Sequence, residues 1–151
     1  MSKKNQKTIR ENIELKGIGL HSGVEVSLII KPSKVNTGIR FKRVDLKENN
    51  IIKADFKNVV DPVLCTKLEN TYGASISTVE HLMAAFYGEG IDNVMVEVDA
   101  PEIPIMDGSS VDFVEAIRTA GVEDQTEPKK FIKVLKKVEV KDGQKYISIE
   151  P

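Results

Sequence analysis

The stretch "ISTVEHLMAAFYG", residues 76–88, decides how this chain is read. Val79, Leu82, Met83 and Phe86 stand at i, i+3, i+4 and i+7, the apolar stripe of an amphipathic helix. Ser77 is placed to cap the helix, and Glu80, three residues on, completes a capping box. Gly88 and Gly90 end the pattern. Just downstream, Val94, Val96 and Val98 alternate with Met95, Glu97 and Asp99, the period of a half-buried strand. Upstream, Ile13 and Leu15 alternate with polar neighbours, as do Val24, Val26, Leu28 and Ile30, and Gly17, Gly19 and Gly23 mark the turn between them. Ile39 and Phe41 predict a third strand, residues 51–56 a weaker fourth, and VLCTKL (63–68), after the break at Pro62, another. Pro101 and Pro104 bar a regular central strand from APEIPIMDGSS (100–110). Ser109 or Ser110 then caps a second helix with the stripe Phe113, Val114 and Ile117, ended by Gly121. Strands, a helix, a strand and a helix predict an α+β two-layer sandwich, a mostly antiparallel sheet packed against two helices.

Composition shifts at residues 123–128, a polar stretch that reads as a linker. Beyond it Ile132, Val134, Val138 and Val140 alternate, Asp142-Gly143 predicts a two-residue hairpin turn, and residues 146–149 return. A lone hairpin is marginal in water. The expected division is therefore a first α+β domain at 1–126, then a linker and the first hairpin of a second, truncated domain at 127–151.

The 151 residues suffice for a real core, burying roughly 70% of the unfolded surface. With 22 basic and 23 acidic residues and a net charge of −1, no global field attracts a polyanion, so nucleic acid is not expected as a partner. The lysines at 129, 130, 133, 136 and 137 read as a solvated strand face. Cys65 is the single cysteine, which forbids an internal disulfide and fits a reducing, cytoplasmic setting. The basic N-terminus has no apolar stretch behind it and is not read as a signal peptide, and no run approaches the ~20 apolar residues of a transmembrane segment.

Glu80 and His81 admit two readings. They are helix-end residues, or they are part of an active site. On a helical wheel with Val79 at zero, His81 falls near 200°, away from the stripe, and the same outer face is expected to carry Ala84 and Ala85. Small residues there would let another layer approach. An imidazole is a good zinc ligand, and a neighbouring carboxylate can take a proton from water. Catalytic zinc ordinarily has three protein ligands. H-x-x-E-H is incomplete, because Ser77 stands where its first His would be, and H-E-x-x-H is absent. His21 in GIGLHSG is a turn residue or a polar group at the rim of a site. Cys65 is a small strand residue or a nucleophile, and residues 104–109 are a helix cap or an anion-holding turn.

The ordered set GIGLHSG (17–23), NTGIRF (36–41), VLCTKL (63–68), ISTVEHLMAA (76–85), GIDNVMVEV (90–98) and APEIPIMDGSS (100–110) resembles the bacterial UDP-3-O-acyl-N-acetylglucosamine deacetylases of lipid A biosynthesis in Gram-negative bacteria. The resemblance covers nearly the whole chain. It implies zinc-dependent hydrolysis of the substrate's acetamide, with His81 as a zinc ligand and Glu80 as the general base on zinc-bound water. It implies that Leu64, Cys65 and Thr66 line the acetyl side of the substrate site and that His21 lies near it. It also implies a second, similar domain that covers the helix layer and brings the remaining zinc ligands, a His and an Asp. The expectation is one zinc ion, mostly liganded from outside these residues, and a chain that is inactive alone. A competing reading is a non-catalytic binding module that uses the exposed face of helix 78–87. A further one is a metallohydrolase whose site forms across a homodimer, and the uncovered helix layer invites such self-association.

Overall fold

The computed structural model describes residues 4–61 and 63–151; Pro62, read above as a chain break, lies outside them. The chain opens with β1 (Asn5–Ile9), β2 (Ile13–Ile18), β3 (Glu25–Pro32), β4 (Ile39–Arg43) and β5 (Ile51–Lys53). After a 3-10 turn at Phe56–Asn58 come β6 (Val59–Val60), β7 (Lys67–Glu69) and β8 (Ser75–Ile76). The helix α1 (Glu80–Glu89), β9 (Val94–Val98), α2 (Val111–Ala120) and β10 (Val122–Pro128) complete the body, and β11 (Val138–Asp142) and β12 (Lys145–Ile149) form the last hairpin.

The frame is a five-stranded sheet in the order β2-β3-β9-β4-β5. Its pairs are antiparallel except β4 with β9. Burial follows the period of two: Val26, Leu28 and Ile30 of β3 and Val94, Val96 and Val98 of β9 are buried. They share one core with Leu82, Ala85 and Phe86 of α1 and Phe113 and Ile117 of α2. This is the α+β sandwich that the alternation and the two stripes predict. A small sheet, β6-β7-β8, carries the chain from the main sheet to α1.

The structure departs from the sequence reading in five places. Residues 123–128 are not a linker: they belong to β10, which pairs antiparallel with β1, and the pairing runs on to Lys129, whose amide donates to the Lys4 carbonyl at 2.8 Å. Of the expected 63–68 strand only Lys67 and Leu68 are extended, as part of β7; Leu64 has φ 62° and is 87% exposed. Ser77 does not cap α1. It sits in a bridge with Glu102, and the cap position falls to Val79 without a side-chain hydrogen bond. Ala85 lies in the core, whereas Ala84 and Tyr87 are exposed. In the hairpin Asp142 pairs with Lys145, so the two-residue turn is Gly143-Gln144, with glycine first and at φ 58° as a type II′ turn requires.

Candidate active site

Four segments converge at the N-terminal end of α1. The loop after β2, at 17–23, is tied to the segment 101–105: Gly19 bridges Pro104, and the Ile105 amide donates to the Ile18 carbonyl at 3.0 Å. Segment 101–105 in turn flanks residue 77, with Ser77 N–H on the Pro101 carbonyl and Ile103 N–H on the Ser77 carbonyl. The fourth segment, 63–66, docks on the first turn of α1. The Thr66 amide donates to Oε2 of Glu80 at 3.1 Å.

That bond answers half of the question posed by Glu80. The carboxylate does not turn back onto the backbone of Ser77 as a capping box demands. It reaches across to another segment, and among the described residues its Oε1 has no hydrogen bond. His81 is neither sealed in the core nor fully exposed. Its carbonyl accepts from the Ser110 hydroxyl at 2.9 Å, which diverts the residue at the α2 cap position from capping and locks the two helix starts together. Asp107 lies near enough to feel the His81 ring. The Ser109 amide and hydroxyl hold its carboxyl below the usual carboxylate range, and His81 adds a smaller electrostatic pull. The same bonds, both at 2.8 Å to Oδ1, occupy the turn amide that the sequence offers to an anion.

His21 joins this cluster through a residue that the sequence reading passes over. Glu102 is 1% exposed. Its carboxylate accepts from the amides of His21 (3.0 Å) and Ser22 (2.9 Å) and from the hydroxyls of Ser22 (2.7 Å) and Thr78 (2.8 Å), and it lies 2.9 Å from His21 Nδ1. Burial pushes this carboxyl up, but the donors from His21 and Ser22 outweigh it and bring the pKa to about 2. A side chain at Gly19 would collide with Ser22 Oγ and Glu102 Oε2, so glycine is required for the close approach. The only sign of Glu102 in the sequence is an acidic residue set in the apolar run between Pro101 and Ile103-Pro104.

Leu64, Cys65 and Thr66 border the same end of α1, with Val63 (73% exposed) and Leu64 presenting apolar side chains outward. Cys65 is half-buried and free. Among the described residues, no group of three or more His, Cys, Asp and Glu side chains could hold a metal ion. None of their helices is long and apolar enough to cross a membrane.

A family model described as "LpxC: UDP-3-O-acyl N-acetylglycosamine deacetylase" matches residues 6–151. A UDP-3-O-acyl-N-acetylglucosamine deacetylase of Actinobacillus succinogenes is 53% identical over 146 residues, 97% of this chain and 48% of the relative. Proteins of the same name from Tolumonas auensis and Haemophilus influenzae are 49% and 48% identical, with the same shares covered. The chain spans about half the length of the curated relatives it matches.

Proposed function

The chain belongs to the UDP-3-O-acyl N-acetylglycosamine deacetylase family, and from that premise we propose that it supplies one half of a zinc-dependent amidase site. The substrate is UDP-3-O-acyl-N-acetylglucosamine, the reaction is hydrolysis of its acetamide to acetate and the free amine, and the process served is lipid A biosynthesis in the cytoplasm. The observation that carries the reading is Glu80. Its carboxylate is held by the Thr66 amide at the edge of the domain, beside a half-buried imidazole, and among the described residues its Oε1 has no hydrogen bond.

The donor chemistry fits zinc as a shared ion: His81 offers one neutral nitrogen, and these residues do not complete a site. When bound, zinc lowers the pKa of water and polarises a carbonyl oxygen. The residues of this chain do the rest of their half. His81 offers a ligand. Glu80 takes the proton from the attacking water through Oε1, and the departing amine is protonated from the covering domain. Leu64, Cys65 and Thr66 form the wall beside the acetyl group, and His21 stands at the rim. A second α+β domain is proposed to cover the helix layer, with the boundary after β10, near residue 129.

The test assays the chain alone and mixed with the half of the Actinobacillus succinogenes relative that it does not cover. Alone it should bind zinc weakly and turn over little substrate. The mixture should gain tightly held zinc and deacetylation, both lost in His81→Ala. Full activity in the chain alone, or zinc held equally well by His81→Ala, overturns the reading.

A further inference from the structure

Thr78 precedes α1 by two residues and has φ 56°. A β-branched residue in the left-handed region is strained and persists only where its surroundings impose it. Hydrogen bonds on and beside Thr78 impose it. The Thr78 hydroxyl is buried and donates to Glu102 at 2.8 Å, while the flanking Ser77 backbone is bonded to Pro101 and Ile103. This backbone twist turns the chain from the Ser77–Glu102 bridge into the helix, and so sets where Glu80 and His81 point.

The same carboxylate fixes the ring of His21. An ionised carboxylate accepts and cannot donate, so the 2.9 Å contact requires the proton of neutral His21 to sit on Nδ1. Nε2 is then the acceptor, on a side chain that is 40% exposed. Five donor groups from three residues share the two oxygens of Glu102. An amide in its place offers one accepting oxygen and turns an NH2 group toward donors, so a carboxylate is specifically required.

We propose that Glu102 is a positioning residue: its buried carboxylate holds Thr78 in the left-handed conformation that aims Glu80, and holds His21 as the Nδ1–H tautomer with Nε2 presented to the substrate. The proposal rests on the deacetylase reading for its effect on turnover, but its geometric half does not. It assigns Glu102 no contact with substrate or metal.

The first test is the 15N spectrum of this chain above pH 8, where its two histidines are told apart by His81→Ala. His21 should be protonated on Nδ1, and a predominant Nε2–H form overturns the proposal. The second test is kinetic, in the mixture with the complementary half. Glu102→Gln should lower kcat by at least about tenfold per zinc-loaded site, with KM changed by less than about threefold. Thr78→Val keeps the branched shape and the strain and removes only the hydroxyl, so the left-handed conformation loses the bond that holds it. This variant should lower kcat by at least about fivefold. Retention of kcat within about twofold by either folded variant overturns the proposal. An inactive wild-type mixture overturns the deacetylase reading instead, and the tautomer still decides whether Glu102 holds His21.

Discussion

At the residue scale, Glu80 matches a capping box on paper but not in space. Spacing alone makes it the partner of a capping Ser77, but Thr78 at φ 56° displaces the helix start to Glu80 and leaves Ser77 in a bridge. Ser77→Ala should therefore cost less than about 0.5 kcal/mol in urea unfolding, against the ~1 kcal/mol of a lost cap. A loss near the full cap value would restore the capping reading. Glu80→Gln keeps an oxygen for the Thr66 amide, so stability should hold within about 0.5 kcal/mol while deacetylation in the assembled enzyme falls by about 10²- to 10⁴-fold. Glu102 carries a pH prediction. Its carboxyl falls from an ordinary 4.5 to about 2 in the folded chain, so the folded state binds this proton less readily than the unfolded one. Its stabilisation, on the order of 3 kcal/mol, is present above pH ~4.5 and lost as the pH falls from there through ~2. Wild type should lose that much more stability across the window than Glu102→Gln, in parallel acid titrations of the urea midpoint. Parallel acid limbs would show that the carboxyl is unshifted. His81 and Glu80 were visible in the sequence because they sit beside an apolar stripe; Glu102 and Thr78 were not, because their partners are 80 and 24 residues away.

At the scale of elements, legibility follows what is buried. Strands β3 and β9 bury valine, leucine and isoleucine at alternate positions, so their period shows. Strand β1 buries Gln6 (4% exposed) and Thr8 (4%) at its alternate positions, with Ile9 its one apolar core residue, and β10 is mostly exposed, so neither carries an alternating apolar signal. They are held by amides. The Asn93 side chain donates to Gln6 Oε1 at 2.8 Å and to Gln125 Oε1 at 2.7 Å, and accepts from the Gly38 amide at 2.8 Å. Asn93 is 1% exposed, so Asn93→Ala strands these groups away from water. The cost should be about 2–4 kcal/mol by urea unfolding, more than a surface change would give. A cost below about 1 kcal/mol would mean that water replaces the amide and that β10 is held by its ladder alone. Residues 63–66 err in the opposite direction. Their apolar run reads as a buried strand, yet Val63 and Leu64 face outward, which is what a wall for a ligand or a covering domain needs.

The whole molecule is unevenly finished. One core unites the main sheet with α1 and α2, while among the described residues the final hairpin, β11 with β12, pairs only within itself and has every strand residue exposed. Its apolar side chains are not few: Val138, Val140, Tyr146, Ile147 and Ile149 are 49–73% exposed, and Phe131, Ile132 and Leu135 in the approach to it are 70–99% exposed. Alternation and the Asp-Gly pair announced this hairpin, and its isolation was legible too, since two strands cannot bury a face between them. An apolar set of this kind stabilises nothing until something covers it. Removal of residues 130–151, leaving Lys129 and its bond to the Lys4 carbonyl, should then change unfolding free energy by less than about 0.5 kcal/mol. The hairpin amides should exchange with solvent almost unprotected, while those of β3 and β9 exchange only on global unfolding. Addition of the complementary half of a relative should slow exchange in the hairpin and leave β3 and β9 unchanged, because the covering layer acts on the exposed strands and not on the core. A truncation that costs more than about 1 kcal/mol, or hairpin amides protected in the chain by itself, would show that these strands pack on the body already and have no need of a second domain.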